Sequence, residues 1–145
     1  MASPDDEFIA ELKSEFGQFN FIPSTRFKWK APNSIFYEAK TDYSFEDFAL
    51  LTLHELGHAL SNHKGYKTDV ERLKMESEAW QRAKQLIKEH PAWQDRYRLF
   101  YNENLAETEL DSYRDWLHQK SKCKKCGLTR YQTADGVYHC PNCEL

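Results

Sequence analysis

The sequence predicts an α+β fold: a helix-rich domain over residues 1–118 carrying a short β-hairpin, then a small four-cysteine ribbon over 119–145. Three observations lead there. Apolar residues recur at helical spacing in most segments, one stretch before residue 40 alternates instead, and every cysteine falls between 123 and 143 in two C-x-x-C pairs. At 145 residues the chain can bury one core with a small appendage. Apolar residues make up 40%, including nine Phe, eight Tyr and four Trp, and only five Gly and five Pro punctuate them, so the composition is that of a folding chain. A net charge of -3 gives no global field of the kind that marks a nucleic-acid or membrane binder. No apolar run reaches the roughly 18 residues that span a bilayer, and Met1-Ala2-Ser3-Pro4-Asp5-Asp6-Glu7 is acidic where a secretory signal is basic. The expectation is a cytoplasmic chain without membrane contact.

Taken in order, Ser3 supplies a cap, Pro4 a first-turn proline and Asp5, Asp6 and Glu7 first-turn acids, after which Phe8, Ile9, Leu12 and Phe16 recur until Gly17. This is the first helix. From Phe19 to Ala39 the pattern alternates, and Thr25–Lys30, the Ala31-Pro32-Asn33-Ser34 turn and Ile35-Phe36-Tyr37 read as a β-hairpin. Ser44 and Asp47 then cap a stretch from Phe45 to Leu60 that is apolar on all sides, the mark of a buried central helix. Thr68 and Glu71 cap a third helix running to about His90, with Leu73, Ala79, Trp80, Ala83 and Ile87 on its inward face. Two shorter packing helices follow, one with Trp93, Tyr97 and Phe100, the other around Leu110, Tyr113, Trp116 and Leu117. A polar linker is expected to begin near His118, with Gln119-Lys120-Ser121-Lys122.

The chemistry concentrates on the central helix. His54-Glu55-Leu56-Gly57-His58 is an H-E-x-x-H sequence, and its i, i+4 histidines stack on one helix face where they can grip one zinc ion. Glu55 lies beside that face, placed to take a proton from water whose pKa the metal lowers to about 7. Gly57 costs helix stability, about 1 kcal/mol against alanine, and so suggests close approach by another element. A catalytic zinc takes a third protein ligand, for which His63, Asp69, Glu76 and Glu78 compete. Helical phase favours Glu76, between Leu73 and Ala79, over Glu78, which lies beside Lys74 and Gln81. Asp69 is accounted for as a first-turn acid. Tyr66, Tyr101 and His63 are the candidates for stabilising an oxyanion.

With Glu76-x-x-Ala79 behind it, this H-E-x-x-H resembles the gluzincins, and Glu76-Ser77-Glu78-Ala79 resembles the E-x-E-A signature of the ImmA/IrrE-type metallopeptidases, over roughly residues 20 to 90. The resemblance implies a small zincin-like domain with Glu76 as third zinc ligand, the hairpin as the strand that aligns substrate, and a protein or peptide substrate. Trp80 departs from the Asn or Asp common at that place. The layout is also similar to SprT-type proteases, whose third ligand, a histidine, has no counterpart here.

Cys123-x2-Cys126-x13-Cys140-x2-Cys143 has the spacing of a structural zinc site, and Leu128–Thr133, Ala134-Asp135-Gly136 and Val137–His139 read as strand, turn, strand. About 25 residues bury no core, so the metal would supply their folding energy. Lys120, Lys122, Lys124, Lys125 and Arg130, with Tyr131 and Tyr138, suit a nucleic-acid or protein contact, or simply offset the thiolate charge. The sequence as a whole predicts a metalloendopeptidase with one catalytic and one structural zinc. The alternative is a regulatory, nucleic-acid-binding or protein-binding module with little proteolysis.

Overall fold

The computed structural model describes residues 3–39 and 42–144. Met1 and Ala2 of the acidic N-terminal run, Lys40 and Thr41 after the hairpin, and Leu145 of the ribbon lie outside them. Ten elements follow one another: α1 (Pro4–Glu15), β1 (Asn20–Ser24), β2 (Lys28–Lys30), β3 (Ser34–Glu38), α2 (Phe45–Leu60), α3 (Asp69–Glu89), α4 (Pro91–Tyr97), α5 (Glu103–Ser121), β4 (Tyr131–Gln132) and β5 (Tyr138–His139). The fold is α+β, and no described helix is long and apolar enough to cross a membrane. The chain forms two compact units, one of Met1–Lys64 with Glu78–Glu103, the other of Gly65–Ser77 with Asn104–Leu145, and the division passes through the continuous helix α3.

In the first unit, α1 starts where Ser3 accepts a hydrogen bond from the Asp6 N–H, and α2 where Ser44 accepts one from Asp47. The hairpin of β2 and β3 forms with Trp29 opposite Ile35, but the alternating stretch holds a third strand that the sequence reading did not separate. β1 pairs with β3 in parallel, giving the order β1-β3-β2. Pro23 lies in β1, an edge strand, where its missing N–H costs no ladder bond. α2 packs on β3 and β2, and α1 packs on α2 and β1. The core is the inside of these layers: Phe8 and Leu12, Ile35, Phe48, Leu50, Leu53 and Leu56 with Ala79 and Ala83. Phe8 meets Phe45, Trp93 and Tyr97 edge-on, with centroids 5.2–5.6 Å apart, and His90 stacks on Trp93 at 3.9 Å. As the all-round apolar pattern predicts, α2 is buried from Phe48 through Ala59 apart from half-exposed Glu55.

In the second unit the expected helix around Leu110 is much longer, and the linker expected from His118 does not exist as one. His118, Gln119, Lys120 and Ser121 continue α5, and Phe100 lies outside any helix. The polar composition misled because Lys120 is paired: its ammonium lies 3.0 Å from the Asp69 carboxylate. Asp69 is 3% exposed, and takes further hydrogen bonds from the Tyr138 hydroxyl to its carboxylate and from its own N–H to Gln132. The first-turn acid of α3 is therefore the anchor of the ribbon. Arg72 lies over the rings of Tyr66, Tyr113 and Trp116, 4.8–5.6 Å from their centroids. β4 and β5 pair antiparallel as the ribbon's strand-turn-strand, with an added bridge from Lys122 to Thr129.

Candidate metal centres

Two groups among the described residues could hold a metal ion: Cys123, Cys126, Cys140 and Cys143, and His54, His58 and Glu76. In each, one ligand atom per residue lies within 4.8 Å of all the others.

The cysteine group is assembled from two tight turns. Gly127 has φ +78 and its N–H returns to the Cys123 carbonyl, the left-handed step that lets C-x-x-C curl around a centre. Sγ atoms of Cys123 and Cys143 are 3.8 Å apart and those of Cys126 and Cys140 3.6 Å. A tetrahedral zinc with Zn–S near 2.3 Å puts its sulfurs about 3.8 Å apart, so the donors fit that ion. Backbone N–H groups of Cys126 and Lys125 pull the Cys123 thiol down to about 6, whereas the neighbouring sulfurs of Cys126, Cys140 and Cys123 push Cys143 up to about 12. Four sulfurs at this spacing repel one another as thiolates, and a divalent cation removes that repulsion.

The second group is built by helix packing. A Cβ on Gly57 would stand 2.3 Å from the Ala79 carbonyl oxygen, so only glycine lets α2 approach α3 this closely. Close approach, inferred from the helix glycine, is what the residue serves. Ala79 is one turn past Glu76 on α3. Nε2 of His54 and Nε2 of His58 face each other at 3.2 Å, close to the 3.3–3.4 Å or about that separating two nitrogens on a tetrahedral zinc. All three are buried: His54 7% exposed, His58 6% and Glu76 8%. Burying a carboxylate is costly without a cation. The cost grows here because Glu109 senses it: burial and then the Glu76 charge hold the Glu109 carboxyl above its ordinary value. Tyr113 on α5 hydrogen-bonds Glu76, and its own ionisation is pushed up to about 12 by burial and then by that carboxylate.

The remaining sequence candidates have other roles. Glu55 stands on α2 between His54 and His58 in sequence, half-exposed. His63 is buried, but both ring nitrogens are engaged: Nδ1 lies 2.9 Å from Nδ1 of His58 and Nε2 lies 2.8 Å from Glu78. Asp69 serves the ribbon. Glu78 is 43% exposed at its side chain, as its outward phase suggests, yet it reaches His63. Trp80, at the place where Asn or Asp is common in the resembled pattern, lies against the His54 ring with centroids 4.5 Å apart. The ring contact puts an aromatic face against His54 at that place. Tyr101 meets Trp80 edge-on and Tyr66 lies under Arg72. Of the ribbon's basic residues, Arg130 donates to the Lys120 and Ser121 carbonyls while Lys122, Lys124 and Lys125 are exposed with Tyr131. No protein-family model matches the chain, and no curated protein or solved structure matches it either.

Proposed function

We propose that this protein is a zinc-dependent metalloendopeptidase of zincin-like fold, resembling the ImmA/IrrE type, that acts in the cytoplasm on protein or peptide substrates. The observation that carries the reading is the convergence of His54, His58 and Glu76, with Glu55 on the same helix between the two histidines. When bound, zinc at this site supplies Lewis acidity toward a peptide carbonyl. His54, His58 and Glu76 hold it, and the packing of Gly57 on Ala79 keeps the two helices close enough for them to do so. Glu55 takes the proton of the attacking water and delivers it to the leaving amine, the two tasks of one carboxylate in acid–base catalysis. Strand β2, on the edge of the sheet, offers main-chain groups to an extended substrate. The four-cysteine ribbon holds the second, structural zinc. Its exposed Lys122, Lys124, Lys125 and Tyr131 favour an added contact with nucleic acid or protein.

The test is hydrolysis of a proteome-derived peptide mixture, with and without chelator, by the wild type and by Glu55→Gln. Chelator-sensitive cleavage should fall about a hundredfold or more in the variant while metal content and folding stay at wild-type levels, because the base is lost and no ligand is. Full activity in Glu55→Gln overturns the reading.

A further inference from the structure

Helix α2 ends in a turn that returns the chain onto its own ligand. Asn62 takes the left-handed conformation, φ 55, its N–H bonds to the Ala59 carbonyl and the His63 N–H bonds to the His58 carbonyl. This is the doubly bonded helix terminus that Gly or Asn supports. Its consequence is local: it folds the His63 ring beneath the His58 ring, centroids 5.1 Å apart, with the two Nδ1 atoms at 2.9 Å. Two further contacts fix His63. The indole N–H of Trp29, on β2, donates to the His63 carbonyl at 2.8 Å, and Glu78, on α3, takes the far ring nitrogen at 2.8 Å.

We infer that His63 and Glu78 are positioning residues for the ligand His58, joined to it as one hydrogen-bonded chain, Glu78 to His63 to His58. Taking His58 as a metal ligand rests on the peptidase reading; the chain itself rests on the contacts. One arrangement of protons satisfies it. Nε2 of His58 faces Nε2 of His54 and gives its lone pair to the metal, so the His58 proton sits on Nδ1. That N–H donates to Nδ1 of His63, which leaves the His63 proton on Nε2, where it donates to the Glu78 carboxylate. The carboxylate thus selects the tautomer of a histidine two rings away and strengthens the donor at the metal, as outer partners of metal-bound histidines do. His54, for its part, lies against the Trp80 ring. Glu78, a rival third ligand by sequence, becomes a support of the second one.

The experiment uses the full chain with zinc kept in the cysteine site, and titrates Co2+ into the histidine site under metal-buffered conditions. His63→Ala should weaken Co2+ binding about 10- to 100-fold and Glu78→Gln about tenfold, the usual cost of losing an outer partner. The double variant should bind no more weakly than His63→Ala, because in the proposed chain Glu78 reaches His58 through His63. His63→Asn, whose side-chain oxygen can accept from His58, should recover part of the loss. In the metal-loaded wild type a slowly exchanging imidazole N–H from His58 should appear far downfield in the proton spectrum and vanish in His63→Ala. Wild-type affinity in both single variants overturns the proposal, as does a double variant weakened by the product of the two single losses. If His58→Ala binds Co2+ as well as the wild type, the metal-ligand reading itself fails, a result distinct from the other two.

Discussion

The two candidate metal centres are built by opposite strategies. The cysteine centre uses two short turns, each holding its ligands three residues apart, and its backbone amides are aimed at the sulfurs by the turns themselves. The candidate histidine group draws two of its side chains from one helix and the third from another, and within the first unit it relies on a glycine's closeness to a carbonyl and on a left-handed asparagine. A closed site of four donors can thus be assembled with little tertiary help, whereas a site with room for a reactant needs a folded frame to keep it open. The consequences of damage should differ accordingly.

The largest expected effect is at the cysteine centre. Cys123→Ser, or prolonged chelation of the wild type, should release the tight metal and unfold the ribbon outright, because the metal is most of what holds so small an element. Metal analysis should fall from two ions per chain to one in the variant. An unchanged count would remove the ribbon's metal site. Next comes Gly57→Ala. Alanine regains about 1 kcal/mol of helix propensity, but its Cβ would meet a backbone oxygen at 2.3 Å and the carbonyl cannot swing aside as a side-chain tip could. Overpacking of this kind costs about 1–3 kcal/mol or more, so the net effect is destabilising. Urea unfolding should show it, together with weakened Co2+ binding at the histidine site and none at the cysteine site. Smaller is the contrast on α3: Glu76→Gln should strip the histidine site of metal, whereas Glu78→Gln should cost about tenfold. An emptied site in Glu78→Gln with a full one in Glu76→Gln would mean that the two acids have exchanged roles.

The same difference in construction decides what the sequence could disclose. H-E-x-x-H and C-x-x-C place their ligands within one turn, so spacing alone brings them together, and the inward phase of Glu76 follows from Leu73 and Ala79 on either side of it. The all-round apolar run from Phe45 to Leu60 likewise dictates a buried helix whatever surrounds it. His63 was harder. Its proximity to His58 requires a positive φ at Asn62, and an asparagine after a helix signals that turn without saying which ring it returns. The extension of α5 through Ser121 was invisible for a different reason: Gln119 and Lys120 look like linker until Lys120 meets Asp69, 51 positions earlier in the chain. β1 also hides, since Pro23 argues against a strand and is tolerated because β1 is an edge. What could be read was ligand spacing within one regular turn; what could not were contacts set by a non-helical turn, as at Asn62, or by a partner far away in the chain, as for Lys120.

The smallest effect tests the anchor between α3 and the ribbon within the second unit. Burial alone would raise the Asp69 pKa, but hydrogen bonds from Tyr138 and Lys120 and the charges of Lys120 and Arg72 outweigh it, and the carboxyl lies below its ordinary value. A depressed folded-state pKa stabilises the fold at pH values above the unfolded pKa, about 3.9, and that contribution fades as pH falls through the folded value. Asp69→Asn keeps the side chain's shape and loses the charge, so at pH 7 it should lower the stability of the ribbon-bearing unit by about 1–2 kcal/mol. Acid has a second action, because protonating the thiolates releases metal from the ribbon. That loss is common to wild type and variant, so the informative quantity is their difference at each pH, followed by urea unfolding at fixed zinc activity. The difference should be constant from pH 7 to about 5 and shrink below about 4, as wild-type Asp69 becomes neutral. A gap that persists undiminished at pH 3 would show that the loss in Asp69→Asn comes from the acceptor oxygen replaced by an amide NH2, with the Asp69 charge contributing nothing to the anchor.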